Sequence, residues 1–226
     1  AGRVDEAVEQ IAQAEADLKW LASSGDATVG VGLFRAIDAA LRGLPELAEQ
    51  RLQTLLARED GSPEERLVVW RHQMAVYGVR ISQLSGAGAP VLKRWAALLK
   101  DDPLGPDRAG APPSPRTLAV RARVAVLEGR WADAAALFSV VVPQLPSMDV
   151  MAHAVELGLR AAHALWLAGR RDEAAEALRP VVERLAREPA RGQALLAGPE
   201  VLSLLAAQRW RDDLPARGLE ELREAA

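Results

Sequence analysis

The sequence predicts an all-α protein, a right-handed α-solenoid of stacked helix-turn-helix units of about 40 residues. Two observations predict this class. Ala and Leu dominate a hydrophobic fraction of 50%, aromatic residues make up only 4%, and the β-branched runs typical of strands are scarce. Glycines also recur at residues 2, 43, 86, 129 and 169, at intervals of 40 to 43 residues over the whole chain.

The residues that follow each of these glycines predict a helical hairpin. In "LEGRWADAAALF" and "LAGRRDEAAEAL", an Ala stands five residues after the Gly and a large apolar residue four further on. A Gly in the left-handed conformation ends the first helix. Acidic residues in the first turn of the second helix complement its dipole. The Ala allows the two helices to approach closely. We therefore expect Ala134 and Ala174 to be buried, and their neighbours Ala135 and Ala175 to be exposed.

Four segments predict the first helix of a unit, namely residues 27–42, 64–84, 117–128 and 150–168. Gly2 has no such helix before it, which indicates a fragment of a longer chain and leaves self-association of the unpaired first helix open. Five prolines and two glycines predict a mobile, exposed loop over residues 101–115. An apolar helix from about Pro199 and a polar tail predict a C-terminal cap over 198–226. Because the spacing continues across the loop, we expect a single domain over 1–226.

Composition and charge exclude several classes of protein. The formal net charge of -3 gives no basic face for nucleic acid, so we expect no direct nucleic-acid contact by this chain. The absence of Cys excludes thiolate nucleophiles and Cys-ligated zinc. No apolar run is long enough to span a membrane, and the first residues do not resemble a signal peptide. We expect a cytoplasmic protein without membrane contact.

The chain contains no pattern that predicts catalysis, a cofactor or a metal site. His153 and Glu156 share a helical face, but catalytic zinc needs a third ligand at useful spacing. No Ser stands in a GxSxG elbow or pairs with a His, and no GxxxxGK[ST] phosphate loop occurs. "GAGAP", residues 86–90, lacks the strand context of a dinucleotide site. We therefore expect a protein that is not an enzyme.

The units resemble the tetratricopeptide repeat. Gly129, Ala134, Phe138 and Pro146 take its turn glycine, close-packing alanine, seam aromatic and terminal proline. The spacing of 40 to 43 residues departs from the usual 34, and Leu and Ala mostly replace the Trp and Tyr of the first helix. Long units that end in "GQALLAGPEVLSLLA" are similar to the repeat domain of large LuxR-type bacterial activators, the group of the maltose regulator.

That second resemblance implies an ATPase module before the repeats and a helix-turn-helix DNA-binding domain after them. It implies that this chain is a non-catalytic, ligand- or protein-binding sensor domain of a bacterial transcriptional regulator. The alternative is a stand-alone scaffold that mediates protein–protein interaction.

The tetratricopeptide resemblance implies a groove lined by the first helices of the units. In such units the residues six and three before each turn glycine point into that groove. Arg80, Arg123 and His163 stand at equivalent places and would form a positively biased row for an acidic peptide or a small anionic effector. The alternative is that these residues are solvated polar positions of amphipathic helices, and that Trp166 packs in a seam. Gln73 and Glu156, about two turns further back on their helices, extend this row of polar residues. The candidate groove residues are Gln73, Arg80, Gln83, Arg123, Glu156, His163 and Trp166.

Overall fold

The computed structural model describes residues 4–18, 25–57, 64–99, 113–147, 153–187 and 191–226. Over these ranges the chain forms twelve α-helices and one 3-10 helix, Val142–Ser147, with no strand, which confirms the all-α class. None of the helices in these ranges is long and apolar enough to cross a membrane. The chain divides into two compact units, unit 1 at Ala1–Pro112 and unit 2 at Pro113–Ala226.

Unit 1 contains five described helices: α1 (Val4–Leu18), α2 (Gly25–Leu41), α3 (Pro45–Leu56), α4 (Glu64–Leu84) and α5 (Ala89–Ala97). Helices α2 and α3 form one hairpin and α4 and α5 another, and α2 also packs on α1 and α4. The core of the second hairpin is tight where Trp95 crosses Gly78. A Cβ atom at Gly78 would lie only 2.2 Å from the indole ring, so this crossing needs glycine.

Unit 2 contains seven: α6 (Pro115–Leu127), α7 (Trp131–Val141), α8 (His153–Leu167), α9 (Arg171–Arg187), α10 (Arg191–Leu195), α11 (Pro199–Ala206) and α12 (Ala216–Ala225). Helices α6 and α7 form a hairpin, as do α8 and α9, and α7 packs on α8. Ser114 caps α6 by accepting a hydrogen bond from the Thr117 backbone N–H at 3.2 Å. The short helices α10 and α11 cover α8, which places α8 at the centre of the unit.

All four hairpins turn in the same way. Gly43, Gly86, Gly129 and Gly169 have φ of 69, 73, 70 and 78°, the left-handed region that glycine adopts without strain. In the last turn the Gly169 N–H donates to the Trp166 carbonyl and the next N–H to the Leu165 carbonyl; the other three repeat this pair of bonds. The predicted turns are thus confirmed at four of the five glycines, and Gly2 lies outside the described residues.

Two hairpins also share a place at which their helices approach closely. Eleven residues before the turn glycine stand Gly32 in α2 and Gly158 in α8. A Cβ atom on Gly32 would lie 2.6 Å from the Leu55 side chain, and one on Gly158 would lie 2.5 Å from Val181. Leu55 and Val181 are both twelve residues after their turn glycine. The two hairpins therefore have the same register.

The predicted first helices are confirmed, with ends within three residues of those expected. One prediction is wrong: Ala135 and Ala175 are not exposed but only 1% and 2% accessible, like Ala134 and Ala174. Helix α7 packs on both α6 and α8, and α9 packs on both α8 and α12. Since each of these helices is covered on two sides, two neighbouring alanines are buried rather than one.

The predicted loop and the polar tail of the predicted C-terminal cap remain to be described. Residues 101–112 of the predicted loop lie outside the described residues, and its last residue, Pro115, begins α6. The polar tail is a helix, α12, which packs on α9 and buries Leu219 and Leu222. Its approach is close, because a Cβ atom at Gly218 would lie 1.9 Å from the Val182 carbonyl oxygen.

Candidate functional site

Helix α8 carries ionisable side chains on a single stripe at the centre of unit 2. Glu156, Arg160 and His163 follow one another at spacings of four and three residues, which places them on one face of the helix. Their accessible fractions are 0%, 3% and 2%, and Arg123 on α6 is 3% accessible. Because α7, α9, α10 and α11 all pack on α8, this stripe faces protein rather than solvent. We call these four side chains the polar cluster.

One carboxylate oxygen holds the polar cluster together. Arg123 Nη2 donates to Glu156 Oε1 at 2.6 Å, from the preceding hairpin. Arg160 Nε donates to the same oxygen at 3.2 Å, from one turn further along α8. Glu156 therefore links the α6–α7 hairpin to the α8–α9 hairpin through a buried ion pair. Burying these charges costs desolvation energy, which good hydrogen-bond geometry is needed to offset.

His163 completes the polar cluster without a hydrogen bond at one of its ring nitrogens. Its Nε2 atom is buried and has no hydrogen-bond partner among the described residues. Burial of the imidazole, followed by the positive charge of Arg160, lowers the pKa of His163 to about 4. The ring is therefore neutral at pH 7, with one nitrogen that donates and one that accepts.

The segment between α10 and α11 lies near one member of the polar cluster, Arg160. Gly198, at φ 87°, ends this turn, and a Cβ atom there would lie 4.0 Å from Arg160 Nη2. Gln193 on α10 contributes a second buried polar atom, Oε1, which has no hydrogen-bond partner in the described part of the chain. A side chain at position 198 would therefore begin in van der Waals contact with the Arg160 guanidinium.

Trp166 lies one turn beyond His163 and packs between protein groups. Its ring meets that of Trp210 edge to face, with centroids 5.1 Å apart and an angle of 64° between the planes. The Arg171 guanidinium lies over the Trp166 ring at 5.1 Å from the centroid. Trp210 in turn donates its Nε1–H to the Leu205 carbonyl at 2.8 Å. The structure thus gives Trp166 the contacts of a seam residue, which attach the C-terminal segment to α8.

The structure places the sequence-predicted groove residues in both units. In unit 1, Arg80 is buried on α4, with Gln73 and Gln83 half-buried on the same helix. In unit 2, Arg123 and Glu156 are brought into direct contact and His163 lies on the same stripe. Four of the candidates are at most 3% accessible, so they are neither solvated surface positions nor side chains exposed in an open groove: Arg80, Arg123, Glu156 and His163.

The sequence analysis did not identify Arg160 as a site residue. It also considered His153 with Glu156 as metal ligands, and the structure does not test that pair. The spacing of Arg160 from Glu156, four residues on one helix, was the available signal for an ion pair. The side chain of His153 lies outside the described residues. Among the side chains that are described, no group of three or more His, Asp or Glu residues is arranged to hold a metal ion.

Unit 1 has a different polar contact between its hairpins, also missed from the sequence. Glu49 on α3 accepts hydrogen bonds from Trp95 Nε1 at 2.9 Å and from Ser82 Oγ at 3.5 Å. It also pairs with Arg94 on α5. Its side chain is 22% accessible, so water still reaches this carboxylate. Glu49 therefore joins the α2–α3 hairpin to the α4–α5 hairpin at the edge of the core.

Comparison with known proteins finds no matching family model, no similar curated protein and no similar solved structure. A functional assignment for this chain therefore rests on its own residues and their geometry. The feature that such an assignment must explain is the polar cluster, because four ionisable side chains are buried where apolar residues would pack at lower cost. Buried groups with a shifted pKa concentrate at functional sites.

Proposed function

We propose that this chain is a non-catalytic, ligand- or protein-binding sensor domain of a bacterial transcriptional regulator. In this proposal the hairpins are units of tetratricopeptide type that belong to a right-handed solenoid in the cytoplasm. Four turns of identical hydrogen bonding, at Gly43, Gly86, Gly129 and Gly169, support the repeat. The resemblance of "GQALLAGPEVLSLLA" to the repeat domain of LuxR-type activators supports the regulator.

The observation that carries the binding function is the polar cluster. Its three members on α8 share the stripe that, in tetratricopeptide units, is turned towards the groove, and here that stripe is covered by neighbouring helices of unit 2. Within the cluster, Glu156 is engaged by Arg123 and Arg160, and His163 is neutral at pH 7. An arginine pair on a rigid helical framework suits recognition of an anion or a carboxylate.

A second candidate function, a stand-alone scaffold for protein–protein interaction, is favoured by one observation in unit 1. Phe34 and Leu41 of α2 are 45% and 37% accessible and stand two turns apart on one face of the helix. Leu44, just beyond the turn, is 45% accessible. Exposed apolar residues that are grouped in this way are typical of surfaces that contact another protein.

The gene sequence beyond the codon for Ala226 separates the two candidates. The regulator proposal expects an open reading frame that continues into a LuxR-type helix-turn-helix domain. A stop codon, or a domain of another kind, would overturn it in favour of the scaffold. A complementary measurement is transcription from the regulator's own promoter region in cells that carry the full gene, compared with cells in which Glu156→Gln disrupts the polar cluster. An unchanged transcription response would contradict a sensor role for unit 2.

A further inference from the structure

We propose that helix α2 of unit 1 pairs with α2 of a second copy of this chain, in an antiparallel arrangement about a twofold axis. The contact surface is the α2 face, which consists of Gly30, Phe34, Ile37 and Leu41. The proposal goes beyond the proposed function, because it assigns the exposed apolar residues of α2 to a second copy of the chain and not to a different protein.

The residues of the α2 face follow one another at intervals of four, three and four positions. At about 100° per residue they lie within an arc of about 60°, on a line about 16 Å long. Intervals that alternate between three and four are typical of helices that pack side by side along their length. The buried residues of α2, among them Leu33, Ala36 and Ala40, are centred on a direction about 120° away. The α2 face is therefore separate from the surface by which α2 packs into unit 1.

The α2 face is apolar and open at a place that is charged and buried on α8. Phe34 stands nine residues before its turn glycine, where α8 has Arg160. Arg160 is 3% accessible in a unit whose helices α10 and α11 pack on α8, whereas Phe34 is 45% accessible. Leu41 is 37% accessible. Grouped apolar residues with this exposure indicate a surface that another molecule covers.

The shape of the α2 face suits a second copy of itself. A Cβ atom at Gly30 would have nothing within 4 Å, so this end of the face has an open gap. At the other end, the exposed side chain of Leu41 protrudes. Because the intervals of four, three and four are symmetric, a twofold axis through the middle of the face places Leu41 of each copy over Gly30 of the other. Each copy thus supplies both a protruding side chain and the space for one, as an isologous contact requires.

The charges beside the α2 face also favour a second copy. A twofold contact brings the same groups of both copies together, so a net charge beside it opposes pairing. On α2, the charged side chains nearest to the face are Asp38 and Arg42, and Arg42 Nε donates to Asp38 Oδ1 at 2.8 Å. This ion pair has no net charge, so it does not repel its counterpart. A strongly acidic or basic peptide gains no complementary charge from it.

The size of the α2 face sets the strength of pairing. A strip about 16 Å long and about 10 Å wide covers on the order of 200 Å² per copy, well below the roughly 800 Å² per partner of a stable interface. We therefore expect a dimer that dissociates on dilution, with a Kd of about 100 μM.

The experiment is analytical ultracentrifugation of the full 226-residue chain from about 5 to about 500 μM, a range that brackets the expected Kd. We expect the weight-average mass to rise from 24.3 kDa towards that of a dimer. Phe34→Glu should abolish the rise, because it places a carboxylate from each copy in an apolar contact. Val140→Glu is the matched control, because Val140 is 50% accessible on α7 of unit 2, and it should associate like the unaltered chain.

Two further variants test the antiparallel arrangement. Gly30→Leu fills the gap that Leu41 of the other copy occupies, so we expect pairing about tenfold weaker, in a helix that Leu itself stabilises. Leu41→Ala added to Gly30→Leu makes room again and should restore most of the lost affinity. Far-UV circular dichroism checks that each variant is folded.

Several results would overturn the proposal. A chain that stays monomeric at about 500 μM would exclude the second copy and leave the α2 face to a different protein. Equal association of the Phe34→Glu and Val140→Glu chains would show that the contact lies elsewhere. Tighter pairing of Gly30→Leu, as parallel helices would give, or a double variant no better than Gly30→Leu alone, would exclude the antiparallel arrangement. None of these results depends on the gene sequence beyond Ala226, so the dimer and the regulator proposal can fail separately.

Discussion

The two units join successive hairpins by different means, although their hairpins turn on the same glycine geometry. In unit 1 the contact comes from the second helix of a hairpin, where Glu49 reaches Ser82 and Trp95. In unit 2 it comes from the first helices, where Arg123 meets Glu156. Ala135 and Ala175 stand six residues after their turn glycines, the place that Glu49 occupies in unit 1. A small residue at this place lets neighbouring helices pack closely. In unit 2 the polar contact is therefore made by the first helices of the hairpins.

The difference between the two contacts shows how access to water affects the contribution of an ion pair to stability. Glu49 keeps part of its hydration, since 22% of its side chain is accessible. Glu156 has no water-accessible surface, so its desolvation cost must be offset by protein partners, among them Arg123 and Arg160. We therefore expect unit 2 to depend on its carboxylate far more than unit 1 does. Four predictions test this comparison, from the largest expected effect to the smallest.

The largest effect is expected for Glu156→Ala. It removes the carboxylate oxygen that two buried guanidinium groups contact, and breaking a buried ion pair from one side costs about 3–5 kcal/mol. The free energy of unfolding from urea denaturation measures the loss. If Glu156→Ala cost no more than a substitution at an exposed ion pair, such as Glu173→Ala, the buried contact would not be the main link between the hairpins.

The next effect is a dependence of stability on pH that comes from His163. Its pKa in the folded protein is lowered to about 4, so between pH 6.5 and pH 4 the unfolded state takes up a proton that the folded state does not. The free energy of unfolding therefore falls as pH decreases through this window, by up to about 3 kcal/mol, and is unaffected by this group above it. His163→Gln should remove that part of the slope, and His72→Gln should not.

Gly78→Ala tests the packing of the contact in unit 1. The added Cβ would meet the Trp95 ring at 2.2 Å, and overpacking of this kind costs about 1–3 kcal/mol. Displacement of the indole also lengthens its hydrogen bond to Glu49, which tryptophan fluorescence can detect. Gly30→Ala on α2 is the matched control, because nothing lies within 4 Å of its added Cβ. Helix propensity alone should make that control more stable by up to about 1 kcal/mol.

The smallest effect is expected for Glu49→Gln. The amide oxygen can still accept from Trp95, and water already reaches the site, so we expect a loss of about 1 kcal/mol. Thermal melts of this variant and of Glu156→Gln, compared at the same pH, sharpen the contrast between the units. Equal losses for the two substitutions would show that accessibility does not distinguish the two carboxylates.

The parts of the fold that sequence predicts well are those decided by local chemistry. The turn glycines are predictable because a left-handed residue has few substitutes, and Gly43, Gly86, Gly129 and Gly169 all have positive φ. The helix ends beside these turns can be predicted for the same reason, because the glycine marks where each first helix stops. Ala135 was misjudged because its burial depends on α8, a helix that comes later in the chain and packs on α7.

The candidate site was harder to predict because its contacts join distant residues. Arg123 and Glu156 were chosen from their distance to a turn glycine, but their mutual contact spans 33 residues. The partners of Glu49 lie 33 to 46 residues away, and nothing in the surrounding sequence points to them. Arg160 carries a local signal, the four-residue spacing to Glu156, but that spacing is equally typical of exposed pairs on helix surfaces. Burial of a charged stripe is decided by which helices cover it.

The edge-to-face contact of Trp166 and Trp210 gives the molecule an optical reporter of its own. Two indoles with centroids 5.1 Å apart and planes at 64° are close enough for their excited states to couple. Coupling of this kind produces a paired positive and negative band in circular dichroism that disappears when the rings separate. The C-terminal segment can therefore be watched as it leaves α8, in the natural chain and without an attached dye, on the timescale of a stopped-flow measurement.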